Sequence, residues 1–128
     1  MDRKTESRLK KDLVIWFCTV GANARPHATL VWFLWEGDSF LIFSIPGRKV
    51  RDIEANPSVE LHLNSDAAGA EMIRAAGTAK IVRGQAAATS KPAYLRKYRQ
   101  EIKALGATPE QFEKQYNIAI RVRPVRFE

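Results

Sequence analysis

PHATLVWFLWEGDSFLIFS, residues 26–44, contains two β-rich runs joined by a tight polar turn. The runs from His27 to Trp35 and from Ser39 to Ser44 are almost continuously apolar. β-Branched and aromatic residues favour strands, and Glu36-Gly37-Asp38 is typical of a short hairpin connection. A strand that is apolar on both sides is covered on both faces. We therefore predict two neighbouring strands, each with one face in the core and the other against a helix, a cofactor or another subunit.

The flanking sequence predicts a single domain over residues 1–128 that is mainly β with helices (α+β). Before this segment, residues 4–12 have helical composition and residues 13–20 are β-rich. After it we predict a short helix over 48–55, a strand over 58–63 and one or two strands within 72–83. A helix then runs from a cap at Ser90 to a stop at Gly106, the capping box Thr108-Pro109-Glu110-Gln111 opens a short helix, and a last strand runs from Ile118 to Arg123. Six short strands with modest helices predict a closed antiparallel barrel, because closure removes exposed strand edges.

The composition restricts the class of protein. The chain has one cysteine, Cys18, and two well-separated histidines, His27 and His62, so an intramolecular disulfide is excluded and no tight Cys/His cluster is available for zinc. We predict no metal site, structural roles for both histidines, and Cys18 as a small buried residue. No apolar run approaches the roughly 20 residues of a bilayer span, and the N-terminus lacks the apolar core of a secretory signal. We expect a soluble, cytoplasmic protein with no membrane partner.

The charge of the chain is strongly positive, with 21 Lys and Arg against 14 Asp and Glu and a formal net charge of +7. Such a charge attracts polyanions in general. The cations lack the interleaved aromatic residues of a single-strand binding platform, and no recognition motif is evident. We therefore expect no nucleic-acid partner, and the position of the cations matters more than their number.

A cationic junction follows the second β-rich run. SIPGRKVR, residues 44–51, joins the end of a strand to the start of a helix and carries one hydroxyl residue and three cations. Free backbone N–H groups and the helix dipole favour an anion there, and Arg48, Lys49 and Arg51 can add charge-assisted hydrogen bonds. The same spacing also fits a solvated basic helix face. The apolar run from Thr29 to Trp35 could likewise be plain core or a wall for a flat ring.

A wider set of motifs agrees in order and spacing with one known superfamily. The motifs are Gly21 to Arg25, Pro26 to Phe33, Glu36-Gly37-Asp38, Phe40 to Ser44, Arg48 to Ile53, Asn56-Pro57 and Gly77-Thr78-Ala79. This pattern resembles the pyridoxamine 5'-phosphate oxidase-like split β-barrels. Within them, the run VWF at residues 31–33 and the compact length look most like the B branch of the flavin/deazaflavin-dependent oxidoreductases, which are probable F-420-dependent enzymes.

The resemblance implies a homodimer of six-stranded antiparallel split barrels with two cofactor sites at the subunit interface. By position, it implies that Leu30, Val31 and Trp32 lie beside the cofactor ring. The residues that it places around the cofactor phosphate are Ser44, Lys49 and Arg51, with Ile45 beside them and Arg48 as a helper. It assigns no catalytic residue in this chain. The loop from Asp66 to Glu71 lacks the aromatic residue that family members often provide near the position of Ala70.

The implied activity is an oxidoreductase, in which coenzyme F-420 provides hydride for a small unsaturated or conjugated organic substrate. Such a reaction needs a positioned ring and a dry slot, but no side-chain nucleophile or metal. An FMN-dependent oxidoreductase of the same fold is the first alternative. A non-catalytic protein that binds a flavin, a tetrapyrrole or a fatty-acyl ligand is the second.

Overall fold

One curled antiparallel sheet with helices packed against it makes up the computed structural model, which describes residues 1–82 and 88–128. The strands are β1 (Ile15–Val20), β2 (Pro26–Val31), β3 (Leu34–Trp35), β4 (Phe40–Ser44), β5 (Ser58–His62), β6 (Arg74–Ile81) and β7 (Ile118–Phe127). The helices are α1 (Arg3–Lys11), α2 (Arg48–Ala55), α3 (Pro92–Ala104) and α4 (Pro109–Gln115), with a short 3-10 helix at Ala88–Ser90. The strand order is β2-β1-β5-β6-β7-β4-β3, and each neighbouring pair is antiparallel.

The sheet has seven strands instead of the six predicted, because the run from His27 to Trp35 is interrupted after Val31. At the break, the Phe33 amide donates to Tyr98 Oη at 2.8 Å, and the Phe33 carbonyl accepts from Lys97 Nζ at 2.8 Å. These peptide groups are bonded to α3, so they cannot continue a strand ladder. β2 and β3 are consequently the two end strands of the sheet and are not paired with each other. The predicted closed barrel is therefore a curled sheet with an open seam.

The core lies on both sides of β4. Phe40 and Ile42 point inward and pack with side chains of β1, β5 and β7, whereas Leu41 and Phe43 point outward and pack under α3 and α4. All five residues of β4 are buried, which confirms that both faces of this strand are covered. The outer cover is aromatic and consists of Tyr94, Tyr98, Ile102 and Phe112 with Ala88 and Ala119.

β2 differs from β4, because its outer face has no cover within the described residues. Ala28 and Leu30 are exposed, Leu30 by 49%, while Val31 is the buried residue of the strand. The antiparallel register sets Ala28 opposite Cys18 and Leu30 opposite Trp16. The sequence predicts that β2 is covered on both faces, and in the single chain its outer face is open to solvent.

Cys18 lies on this open face and not in the core, so the prediction of a buried cysteine is wrong. Successive residues of a strand face opposite sides, and β1 turns Ile15, Phe17 and Thr19 inward and Cys18 outward. Partial burial, together with the charge of Glu60, raises the pKa of the Cys18 thiol. On the same face, the His62 ring stacks on Trp16 with 6.2 Å between ring centroids.

The boundaries of α3 and α4 follow local chemistry. Ser90, predicted as the cap of α3, belongs to the 3-10 turn, and α3 starts at Pro92 with no side-chain cap. Proline suits this first position, because it has a preset φ and no N–H that requires a partner. Gly106, at φ +75°, ends the helix as predicted. The capping box is also confirmed: the Gln111 amide donates to Thr108 Oγ1 at 3.1 Å, and the Thr108 amide donates to Gln111 Oε1 at 2.9 Å.

The C-terminal strands are longer and more closely joined than the alternation predicts. β7 extends to Phe127, beyond the predicted end at Arg123, because it pairs with β4 along its first half and with β6 along nearly all of its length. A bulge between Ala76 and Gly77 brings the two backbones together, and a Cβ at Gly77 would lie 2.7 Å from the Arg123 carbonyl oxygen. The predicted region 72–83 contains one strand, β6, and residue 83 lies outside the described residues. No helix in the described ranges is long and apolar enough to cross a bilayer.

Candidate functional site

An open cleft of about 430 Å³ lies between the end of β2, the end of β4 and the α3–α4 pair. Its volume is within the range of small-molecule sites, roughly 300–1,000 Å³. The lining consists of Thr29, Leu30, Val31, Trp32, Phe43, Ser44, Ile45, Lys49, Tyr94, Leu105, Phe112 and Tyr116. Five of these twelve residues are aromatic and four are aliphatic, so the cleft suits a flat apolar body.

Trp32 provides a preorganised aromatic wall. Its ring stacks on Tyr98 at 4.7 Å with an interplanar angle of 5°, and on Phe112 at 5.5 Å with an angle of 14°. Phe112 stacks in turn on Tyr116 at 4.5 Å. Trp32 occupies the break between β2 and β3, so the interaction that interrupts the sheet also places this ring in the cleft. Stacked rings of this kind hold one another in position.

Lys49 is the one cation among the described residues of the lining. It is half-buried in the first turn of α2, and burial lowers the pKa of its ammonium group. It forms no salt bridge with any described residue. α2 has no side-chain N-cap, so its first N–H groups have no partner from a capping side chain. A half-buried cation beside free amide donors is an environment that an anion stabilises.

Ser44 and Ile45 border Lys49 at the end of β4. Ser44 is 3% exposed, and its Oγ donates to the Ile45 carbonyl at 2.8 Å. The hydroxyl proton of Ser44 is thus committed to the backbone, and its oxygen remains able to accept. Ile45 is 43% exposed and adds apolar surface at the cleft.

The structure separates the three cations of residues 48–51. Arg48 Nε lies 3.7 Å from Asp52 Oδ2, and the same carboxylate oxygen accepts from Thr19 Oγ1 at 2.8 Å. Arg51 is exposed, and neither arginine lines the cleft. Of the eight residues predicted to bind the cofactor, the structure brings six around one cleft, namely Leu30, Val31, Trp32, Ser44, Ile45 and Lys49. Their role in binding stays a prediction.

Four lining residues come from α3, α4 and the turns that follow these helices, and the sequence did not single them out. They are Tyr94, Leu105, Phe112 and Tyr116. Their helical spacing is visible in the sequence, but the same spacing is typical of core residues, and Phe112 and Tyr94 are indeed largely buried. Among the residues that the structure describes, the lining includes no His, Cys, Asp or Glu. Those residues therefore provide no Ser–His or Cys–His pair of nucleophile and general base.

A curled antiparallel sheet with an open seam is the architecture of a split barrel. The family model for pyridoxamine 5'-phosphate oxidase matches residues 1–128, so the chain belongs to this family. The resemblance drawn from the motif order is thus confirmed at the level of the family.

Solved structures of several similar proteins share the fold. An F420 reductase has a TM-score of 0.72 and 24% sequence identity, over 96% of this chain and 94% of that chain. HutZ from Vibrio cholerae, a heme storage protein, has a TM-score of 0.68 and 15% identity over 98% and 92% of the two chains. A FAD-binding protein from Mesorhizobium loti has a TM-score of 0.65 and 12% identity over 97% and 87%. No curated protein matches the sequence.

Proposed function

We propose that the cleft binds a flavin-type cofactor, the deazaflavin F-420 in preference to FMN, and that the protein is an oxidoreductase that transfers a hydride to a small unsaturated organic molecule. One observation carries the proposal: the cleft combines a stacked aromatic wall with a single half-buried cation that has no counter-charge among the described residues. A planar ring with a phosphate on its side chain has both complementary features.

The residues of the cleft fit such a cofactor in two parts. Leu30, Val31 and Trp32 offer apolar and aromatic surface for the ring, and the exposed edge of β2 offers backbone groups for its polar rim. Lys49 and the uncapped start of α2 suit the phosphate, because charge-assisted bonds would offset the cost of burying the ammonium group. Both F-420 and FMN carry a ring and a phosphate of this type.

When bound, the cofactor supplies the hydride, and the protein contributes binding, orientation and exclusion of water. The aromatic and aliphatic lining removes water from the ring, which strengthens the electrostatic interactions of Lys49. A fixed Trp32 ring limits the orientations that the cofactor can adopt, and orientation alone accounts for a large share of many rate enhancements. The described lining has no carboxylate or histidine to act as an acid–base pair, and hydride transfer from a cofactor does not require one.

The preference for F-420 is supported by the resemblance of residues 31–33 to the deazaflavin branch and by the shared fold of the F420 reductase. FMN remains the alternative cofactor. Heme, suggested by the fold of HutZ, is less favoured, because no His, Cys or Met lines the described part of the cleft, and tyrosine is the one common ligand of heme iron that does.

A second copy of the chain is the proposed cover for the open side of the sheet. We define the outer β2–β1 face by Trp16, Cys18, Val20, Ala28 and Leu30, which point away from the core. Leu30 belongs both to this face and to the cleft. A homodimer that buries the face would therefore also complete the cleft, which is otherwise open to solvent.

Cofactor titration tests the proposal. The purified protein is titrated with F-420, FMN and heme, and binding is followed by fluorescence quenching or by the heme absorption band. Sub-micromolar affinity for F-420 with weak or no binding of FMN is the expected result. Tight binding of FMN alone would show that FMN, and not F-420, is the cofactor. Tight binding of heme alone would show that the protein is a heme binder, and binding of none of the three would overturn the proposed function. Turnover of F-420H2 with an unsaturated test substrate separates an enzyme from a carrier.

Lys49→Ala and Arg51→Ala form a matched pair on α2 for locating the phosphate. Loss of a hydrogen bond to a charged group costs about 1.5–3 kcal/mol, so Lys49→Ala should weaken cofactor binding by roughly 10- to 150-fold. Arg51→Ala removes an equal charge outside the cleft lining and should change the affinity by less than about threefold. Equal effects of the two variants, measured by the same titration, would show that the phosphate lies elsewhere.

A further inference from the structure

We propose that Tyr94 is a ligand-positioning residue whose hydroxyl donates a hydrogen bond to a ring carbonyl oxygen of the bound cofactor. The inference rests on the proposed function of the cleft and extends it to a residue that the motif pattern does not assign. It also gives the cleft a neutral donor distinct from the cation of Lys49.

The hydroxyl of Tyr94 is unsatisfied in the folded chain. The side chain is 0% exposed, it lines the cleft, and its Oη has no hydrogen-bond partner among the described residues. Buried polar groups in folded proteins almost always have partners, and an exception calls for an explanation. A bound ligand that accepts a hydrogen bond would provide that partner.

Unsatisfied polar atoms concentrate at this cleft. In the described residues, three buried side-chain polar atoms lack a partner, namely His27 Nδ1, Thr29 Oγ1 and Tyr94 Oη. Thr29 and Tyr94 both line the cleft, from β2 and from α3 respectively. Two of the three exceptions thus border one site, which a ligand with polar groups on its ring would explain together.

Tyr98 shows what a structural tyrosine looks like on the same helix. One turn after Tyr94, its Oη accepts from the Phe33 amide at 2.8 Å and donates to the Leu13 carbonyl at 2.6 Å. Both tyrosines are fully buried. The difference between them is that Tyr94 lines the cleft and Tyr98 does not. The absence of a partner for Tyr94 is therefore not a general consequence of burial under α3.

The chemistry of a buried phenol fixes the kind of group it recognises. Burial raises the pKa of Tyr94 well above its ordinary value, so the hydroxyl stays protonated and acts as a donor. A ring carbonyl oxygen, which both F-420 and FMN possess, is a suitable acceptor. Because Oη has no exposed surface, the ligand reaches it after a small displacement of the lining. A hydrogen bond formed there is shielded from water.

The test compares Tyr94→Phe with Tyr98→Phe, two variants that each remove one hydroxyl from the same helix. Thermal unfolding of each variant is measured without ligand. The affinities for F-420 and FMN are measured by fluorescence titration at a temperature where each variant is folded, and the absorption spectrum of the bound cofactor is recorded. Tyr94→Phe should keep or raise Tm, weaken cofactor affinity at least fivefold and shift the absorption of the bound ring. Tyr98→Phe should lower Tm by several degrees, because it removes the hydrogen bonds to the Phe33 amide and the Leu13 carbonyl.

Two failures can be told apart. If the unmodified protein binds neither F-420 nor FMN, the proposed function fails and this inference fails with it. If the unmodified protein binds a cofactor and Tyr94→Phe binds it equally well with the same spectrum, only the inference is overturned. A loss of Tm in Tyr94→Phe equal to that in Tyr98→Phe would also overturn it, because the hydroxyl would then have a structural partner.

Discussion

β4 and β2 were both predicted to be covered on two faces, and their surroundings in the structure differ. β4 is buried on both faces, by the inner core and by α3 and α4, whereas β2 is buried only at its end and exposes Ala28 and Leu30. Apolar residues that a chain leaves uncovered generally mark a site of interaction. The chain itself covers both faces of β4, and under the proposed function a ligand and a second subunit would cover β2.

The largest effect on stability is expected from removing a core side chain of β4, the strand that is buried on both faces. Phe40→Ala removes a ring that is 0% exposed and packs against Phe33, Trp35 and Phe127. Loss of the buried ring and the cavity left behind should lower the free energy of unfolding by about 3–5 kcal/mol. Urea unfolding followed by circular dichroism measures this change. A loss under 1 kcal/mol would show that β4 is not part of a well-packed core.

A charge on the outer β2–β1 face should weaken the proposed dimer. Ala28→Asp places a carboxylate on the outer β2–β1 face, outside the cleft lining. Burial of an unpaired charge is costly, so the dimer dissociation constant should rise at least about tenfold, which corresponds to about 1.4 kcal/mol. Sedimentation velocity over a concentration series measures the constant. Val125→Asp, at an exposed position of β7, is the control and should leave it unchanged.

A monomeric unmodified protein in the sedimentation experiment would contradict the dimer directly. An unchanged dimer in Ala28→Asp would show that the second copy uses another surface. In either case the exposed Leu30 would have to be covered by ligand alone, and the open face of β2 would not be a dimer interface.

A smaller effect, of about 1 kcal/mol, is expected from Lys97, which fastens α3 to the break between β2 and β3. Burial lowers the pKa of Lys97 to about 8, against the opposing influence of Asp12, although its Nζ donates to the Phe33 carbonyl and lies 3.8 Å from the Phe33 ring centroid. In the unfolded chain the pKa is about 10.4. Between these pH values the unfolded chain binds more protons, so the contribution of this group to stability rises with pH.

Lys97→Met measures that contribution. From pH 7 to pH 10 the unmodified protein should gain on the order of 1 kcal/mol relative to the variant, a value reduced by solvent screening of the partly exposed side chain. Urea unfolding at both pH values provides the comparison. Lys103→Met, at an exposed position on the same helix, should show no such dependence. A difference between Lys97→Met and the unmodified protein that does not vary with pH would contradict the prediction.

Local patterns predicted most of the fold. The Thr108 capping box, the stop at Gly106 and the helix at 48–55 all depend on residues close together in sequence, and each is present. The predicted pairing of the run 27–35 with β4 was right only for Leu34 and Trp35, because β2 lies at the other end of the sheet. The Ser90 cap was wrong because Pro92 sets the start of α3. The break at Trp32 and Phe33 was not predictable in this way, since its partners lie in α3, 64 and 65 residues later in the chain.

Six of the twelve residues that line the cleft were among the predicted site residues. The strand wall and Lys49 were found because both lie in one continuous stretch of sequence, residues 29–51. The i,i+4 spacing of Arg48 and Asp52 was an available sign that Arg48 has a partner within its own helix. Tyr94, Phe112 and Tyr116 could not be separated from ordinary core residues, because only the docking of α3 and α4 onto the sheet brings them to the cleft.

The bonds between Phe33 and α3 also bear on the order of folding. Ribosomal synthesis delivers β1 to β4 well before Tyr98, and closing a loop of this length has an entropic cost that must be met before its contacts form. The seam beside β2 can therefore take its final shape only once the C-terminal third of the chain has docked. Hydrogen exchange at the Phe33 amide reports this step, because that proton is protected by a side chain instead of a neighbouring strand. The ligand cleft is in this sense assembled last, by the part of the chain made last.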